Sequence, residues 1–372
     1  MMLENYPSSM TAVQITEFHK PYEIRHIETP RILRPYDLFI KTVAASLCHT
    51  DVMVIEGNFP TELPCTASHE GTGIVLETGC SVEGFKKGDR VLSGLPRNPC
   101  TECEDCRGPD DYRQYCTHVE GQIGTIVDGA FAEYHIADSR TSCLIPDGIS
   151  FAEAAPLACA GRTVYRSIIA SGIQTGEWLA IVGAGGGLGH LGVQFALAKG
   201  INVIAIDARD EGLKLCTKVG AKHIIDARNG LDSVVAELRD LTGGRGADAT
   251  INVSAHRTSA RLACAVTKMH GVVVQTAGPE DLSISAFDLI FRDIRIKGSL
   301  LAGREGTLEM LSQYEKRRLK VEINLFYGLD QVPVMLEALH SGKMMGKAVC
   351  IVDREAFEVD GSMQGSEIVR LA

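Results

Sequence analysis

Twelve cysteines in 372 residues are the first place to look for chemistry, because a thiolate is both a nucleophile and a soft metal ligand. Four of them fall in one stretch, CTECEDCRGPDDYRQYC, as Cys100, Cys103, Cys106 and Cys116. Three thiols at two-residue intervals with a fourth nearby can wrap a single ion tetrahedrally without help from distant elements. Pro99, Gly108 and Pro109 fit a loop, and no core pattern explains four cysteines there. In a reducing compartment zinc is the expected ion, ahead of an iron–sulfur cluster or a redox disulfide.

A second set is dispersed: Cys48 in SLCHTD, His69 in ASHEG and Cys159 in PLACAG. Singly, each reads as well as a core residue, since a lone buried cysteine behaves as a small hydrophobe. Together, two thiolates and one imidazole would make a three-ligand set that leaves a fourth position for water or substrate.

A third feature is the run WLAIVGAGGGLGHLGVQFALAKGINVIAID, from Trp178 to Asp207. Trp178–Val182 has the length and apolarity of a buried strand, and Gly183, Gly185, Gly186, Gly187 and Gly189 then permit a sharp turn and close approach of a pyrophosphate. Leu188, Leu191, Phe195 and Ala198 recur at helical spacing, so the helix N-terminus would offer N–H groups to a phosphate. The spacing departs from G-x-G-x-x-G because Leu188 holds the sixth place. A literal match at Gly187, Gly189 and Gly192 starts inside the expected helix and is discounted. Asp207 ends the next strand, where a carboxylate can accept hydrogen bonds from an adenosine ribose and repel a 2′-phosphate, which favours NAD over NADP. The stretch lacks charge from Trp178 to Ala198, but six glycines argue against a membrane helix.

These residues need scaffolding, and two textures supply it. Up to about residue 150 the chain reads as short strands at Thr11–Thr16, Leu38–Ala45, Gly71–Glu77, Arg90–Ser93 and Ala130–Ala137. From about 165 to 300 strands alternate with helices, with Val203–Ile206, His223–Ile225, Thr250–Val253, Val272–Val274 and Ile294–Ile296 as strand candidates. Such alternation implies a doubly wound parallel sheet in an α/β protein. Thr307–Lys316 and Val332–Ser341 read as helices and Ala348–Val352 as a strand, while the polar tail past Asp353 is expected to be loosely ordered.

Composition sets outer bounds. The length suggests two domains, and 45% hydrophobic with 23% charged residues is ordinary for a globular protein. A formal charge of −10 argues against nucleic acid or an anionic membrane as partner. The first residues, MMLENYPSSMTAV, lack a basic flank followed by an apolar core. A cytoplasmic protein with reduced thiols is therefore expected.

Taken in order, CHTD at Cys48–Asp51, HEGTG at His69–Gly73, KKGDRV at Lys86–Val91, the four-cysteine loop, CAGRTVY at Cys159–Tyr165, GGLG at Gly186–Gly189 and INVS at Ile251–Ser254 resemble the zinc-dependent medium-chain alcohol dehydrogenases, yeast-type enzymes most of all. The resemblance spans nearly all of residues 10–352. It implies a GroES-like β-rich catalytic domain, residues 1–165 with 306–372, and a Rossmann NAD-binding domain, residues 166–305. It implies two zinc ions per chain, a catalytic one on Cys48, His69 and Cys159 with Glu70 beside it, and a structural one on the four-cysteine loop. By the same resemblance Asp51 would orient His69 and Thr50 would meet the substrate oxygen. His49, Thr163, Gly183, Gly185, Gly186, Gly187, Leu188, Asp207, Ser254, Arg304 and Lys347 would contact NAD. A small alcohol or aldehyde as substrate and a homodimer or homotetramer are also implied.

Four departures stand out. Glu56 occupies the place where the family's proton relay commonly ends in histidine, and Ser68 replaces the glycine usual before His-Glu. The loop holds nine residues between Cys106 and Cys116, more than is usual. Around the substrate, Phe59, Leu95 and Gly278 stand where yeast-type enzymes carry two bulky aromatics and a methionine. That suggests a substrate larger than ethanol. An NADP-dependent aldehyde reductase of the same fold and a non-catalytic zinc- and dinucleotide-binding relative are the alternatives.

Overall fold

The computed structural model describes residue 3 and residues 5–277 and 281–360; Gly278 therefore lies outside the described residues. The chain separates into two compact units, one of Met1–Cys159, Gly303–Glu315 and Glu322–Ala372, the other of Ala160–Ala302 and Lys316–Val321.

The first unit is built on a seven-stranded mixed sheet. Its spine is the long strand Asp37–Leu47, which pairs antiparallel with Glu70–Thr78 on one side and Lys347–Ile351 on the other. Ser46 lies opposite Glu70 and Leu47 opposite Ala348. Three chain segments far apart in sequence therefore reach their ends at the same edge, carrying Cys48, His69 and Lys347. Val13, Ile15, Leu47, Val54, Phe131, Met335 and Cys350 form part of the apolar core beneath.

The second unit holds six parallel strands in the order His223–Asp226, Asn202–Asp207, Trp178–Val182, Ala247–Asn252, Thr267–Gln275, Arg295–Gly298. This is the doubly wound sheet expected from the alternating texture. WLAIV is apolar at every position because the strand lies between two neighbours with helices to cover both faces. Strand order reverses there, so the loops after Val182 and Asn252 diverge and open a crevice.

Two expectations need correction. The tail past Asp353 is not loose from its start: Arg354–Val359 is helical, because Asp353 caps it by accepting the Ala356 N–H at 3.1 Å. Asp360 then pairs with Arg90 at 2.9 Å. The glycine-turn helix begins at Gly189 with Leu188 as its cap residue, so Gly187 stands in the turn rather than inside the helix. The apolar periodicity starts at Leu188, one residue before the helix, whose first hydrogen bonds run from the His190 N–H to the Gly186 carbonyl and from the Gly192 N–H to the Leu188 carbonyl.

Candidate active site and metal centres

Cys48 closes the long strand and caps the helix His49–Ile55. Three residues on, Asp51 folds back so that its Oδ2 accepts the Cys48 N–H at 2.7 Å, a reciprocal arrangement that fixes the strand-to-helix corner. Its other oxygen accepts the Ser68 N–H at 3.2 Å and lies 3.3 Å from His69 Nδ1. One carboxylate thus holds the cysteine backbone, the backbone before the histidine and the imidazole itself. With Nδ1 engaged, Nε2 is the ring atom left to act as ligand, and it is buried with no hydrogen-bond partner.

Ser68 adopts φ +71°, the left-handed region in which a side chain costs roughly 1–2 kcal/mol. Its hydroxyl donates to the Ser46 carbonyl at 3.0 Å and accepts the Glu70 N–H at 3.3 Å. These bonds offset the strain that glycine would avoid.

Cys159 arrives from the opposite direction. Phe151–Pro156 is α-helical, Leu157–Gly161 widens to a π turn, and Arg162–Ser171 resumes the α-helix. Pro156 has no N–H to donate, and the locally loosened ladder carries Cys159 on a bulge of the kind that recurs at functional sites. Cys48, His69, Glu70 and Cys159 each bring a ligand atom within 4.8 Å of the others. The Cys48 thiol is held well below its usual range, first by its hydrogen bond with Cys159, and the Cys159 thiol is pushed up by the same contact. Metal binding requires such thiols as thiolates.

Glu70 is fully buried and its carboxyl is raised by that burial, while Lys347 Nζ pairs with it at 2.8 Å. Burial would lower the Lys347 ammonium, but Cys48 and Glu70 outweigh it and hold it up. The sequence offered no signal for this pair: it arises because Glu70–Thr78 and Lys347–Ile351, far apart in the chain, flank the same long strand and start at the same end of it.

In the four-cysteine loop the Cys100 sulfur lies 3.9 Å from that of Cys106 and 3.6 Å from that of Cys116. Tetrahedral zinc with sulfur ligands at about 2.3 Å separates them by about 3.8 Å, so the loop fits the ion. The N–H groups of Glu102 and Cys103 point at Cys100 and bring its thiol down to about 6; desolvation pushes Cys106 up to about 12.

At the glycine turn Gly183 has φ +86°, which a side chain would resist. A Cβ at Gly185 would overlap the Gly212 backbone. Asp207 Oδ2 accepts the Gly185 N–H at 2.9 Å, and Oδ1 accepts those of Ala208 and Arg209 at 2.9 and 3.0 Å. Ser254 lies against Gly183, its Cβ 3.1 Å from where a Gly183 Cβ would stand. Gly186 and Gly187 continue the turn to Leu188.

His49 and Glu56 are exposed, Thr50 is half-buried and Thr163 is buried in its helix. Arg304 opens the helix Arg304–Lys316. Phe59 packs half-buried on the core and Leu95 is buried.

Residues 34–147 match the family model of the alcohol dehydrogenase GroES-like domain, and residues 187–316 that of the zinc-binding dehydrogenases. An alcohol dehydrogenase of Geobacillus stearothermophilus is 35% identical over 347 residues, 91% of this chain and 98% of that protein. A second alcohol dehydrogenase of that organism is 32% identical over 349 residues, 92% of this chain and 100% of its own length. Among solved structures, the alcohol dehydrogenase of the hyperthermophilic archaeon Aeropyrum pernix superposes with a TM-score of 0.84 at 30% identity, covering 92% of this chain and 99% of that one. The matches cover more than nine-tenths of the chain and take in both units, so the chain belongs to the zinc-dependent medium-chain alcohol dehydrogenase family.

Proposed function

We propose that this enzyme moves a hydride between NAD(H) and an alcohol or aldehyde larger than ethanol, using one zinc on Cys48, His69 and Cys159 and a second on the four-cysteine loop. The observation that carries the reading is the convergence of two thiols, a carboxylate and a buried imidazole whose Nε2 has no other partner. Bound there, zinc supplies a Lewis acid for the substrate oxygen and the dinucleotide supplies the hydride acceptor or donor.

The chain's own residues do the rest. Asp51 holds the imidazole in the tautomer that presents Nε2. Thr50, half-buried at the start of the helix that Cys48 caps, is the residue to which we assign proton transfer to and from the substrate oxygen. The Lys347–Glu70 pair keeps a carboxylate beside the metal ligands without leaving an uncompensated buried charge. Glu56, exposed at the end of that helix, is a candidate terminal base.

For the dinucleotide, Asp207 supports NAD, since its buried carboxylate ends the second strand where a 2′-phosphate would meet like charge. One observation favours a second reading with NADP: Arg209 Nε lies 3.6 Å from Asp207 Oδ1, and its Nη2 donates to the Gly185 carbonyl at 3.1 Å. A guanidinium there softens the repulsion. Comparing kcat/KM with NADH and NADPH decides, and equal values would overturn the preference for NAD.

Substrate size rests on Phe59, Leu95 and Gly278. A benzylic or larger alcohol should be turned over with higher kcat/KM than ethanol, and a clear preference for ethanol would defeat the reading. The wild type should carry two zinc ions per chain, and Cys48→Ala should lose one of them together with all hydride transfer. Retention of both ions with normal turnover would overturn the assignment.

We also infer a homo-oligomer in a reducing, cytoplasmic setting suited to metal-bound thiolates. Phe287, Ile290 and Phe291 are 62%, 72% and 67% exposed on the helix Ala286–Phe291. That helix leads into Arg295–Gly298, the edge strand of its sheet. Three large apolar side chains beside an edge that no strand pairs among the described residues favour burial against a second copy.

A further inference from the structure

The helix Arg304–Lys316 starts without a cap of its own. The residue before it is Gly303, which has no side chain to receive the free N–H groups of the first turn. The cap comes instead from the four-cysteine loop, nearly 200 residues earlier. Asp110 Oδ2 accepts the Glu305 N–H at 3.0 Å and approaches that of Gly306 at 3.5 Å. Its charge sits at the positive end of the helix dipole. Gly303 makes room for this: a Cβ there would overlap Asp110 Oδ2, Cγ and carbonyl oxygen.

Two features make this cap more than a local stabiliser. Asp110 opens the 3₁₀ turn Asp110–Tyr115, which lies between Cys106 and Cys116. Its position is therefore set by two of the four thiols that fit an ion. At the helix, the capped Glu305 N–H belongs to the peptide that follows Arg304. Arg304 Nε donates to the Ser142 carbonyl at 3.2 Å, and among the described residues its Nη nitrogens make no hydrogen bond or ion pair. The guanidinium is anchored at its inner nitrogen and leaves its outer edge for an anion.

We propose that Asp110 is a positioning residue for dinucleotide binding: from the four-cysteine loop it caps the helix Arg304–Lys316 and so holds the Arg304 guanidinium where it meets the dinucleotide. This rests on the reading that Arg304 contacts the dinucleotide. It gives the loop and its ion a part in cofactor affinity, though the loop contributes no group to the reacting atoms.

The test is calorimetric titration of NADH into protein carrying its full zinc. Arg304→Ala should weaken NADH, and Asp110→Ala should weaken it by roughly fivefold, the worth of one helix cap. Asp110→Asn should bind like the wild type, because an asparagine oxygen accepts the same N–H. Asp110→Ala placed in the Arg304→Ala background should add no further loss, since both act through one group. At saturating NADH the Asp110→Ala enzyme should keep kcat within about twofold, the mark of a binding effect. Should Asp110→Ala fail to fold, Gly303→Ala displaces the same carboxylate and must reproduce the loss. Unchanged NADH affinity in Asp110→Ala alongside weakening in Arg304→Ala overturns this proposal alone, as does an equal further loss in the double variant. Unchanged affinity in Arg304→Ala overturns the reading of Arg304 and this proposal with it.

Discussion

Asp51 shows how much a single side chain can organise: its two oxygens tie Cys48, Ser68 and His69 into one corner. His135 shows the opposite case, a histidine with no ligand role. It is buried between the hydroxyls of Thr42, 2.8 Å from Nδ1, and Ser93, 2.7 Å from Nε2, and burial brings its imidazole down to about 3. The unfolded chain, with an ordinary imidazole near 6.5, takes up a proton that the folded state refuses. The stability His135 allows is therefore complete above about pH 6.5 and is lost as pH falls toward 3. At pH 5 the loss is about 2 kcal/mol by linkage. Denaturant unfolding at pH 7 and pH 5 should show this loss in the wild type and its disappearance in His135→Gln. Protonation of the metal ligands is common to both proteins and cancels. An identical pH loss in the two would show that His135 does not carry it.

At the scale of elements, the site is made where regular structure stops. Cys48 lies just past a strand end, Asp207 ends its strand, and His69 precedes the strand Glu70–Thr78, while Cys159 sits on a π turn that interrupts a helix. The glycine turn obeys the same logic, because it must bring the chain from Val182 into a helix within a few residues. A Cβ at Gly189 would overlap the Gly183 carbonyl oxygen. Gly189→Ala should therefore force the turn apart, lowering stability by about 1–3 kcal/mol and weakening NADH at least about tenfold. The Cys48 zinc should remain. Near-normal NADH affinity in this variant would show that the turn is not where the pyrophosphate binds. These elements were largely legible in the chain, because apolar runs and glycines report local backbone needs. The π turn was not, since Pro156 signals only an interruption and widening is one of several ways to relieve it.

Across the whole molecule, the open edge at Arg295–Gly298 and the exposed Phe287, Ile290 and Phe291 are the surface least at ease in water. Analytical ultracentrifugation should find the wild type as a dimer or larger. Ile290→Glu with Phe291→Glu should sediment as a monomer that keeps its zinc. A wild-type monomer, or an unchanged assembly in the double variant, would place any interface elsewhere. Among the described residues no helix is long and apolar enough to cross a membrane.

The sequence by itself determined the ingredients: the four-cysteine loop, the strand–glycine–helix–Asp207 unit, and the order of motifs that marks the family. Those are short-range patterns, set by backbone sterics and ligand spacing within one loop or one βαβ unit. Only the tertiary structure decided which distant groups meet. Ladder register brings Lys347 against Glu70 and places His69 beside Cys48. A close approach at Gly303 lets Asp110 reach a helix it does not belong to. Register and interelement packing depend on the whole core closing at once, and no local stretch of sequence encodes that sum.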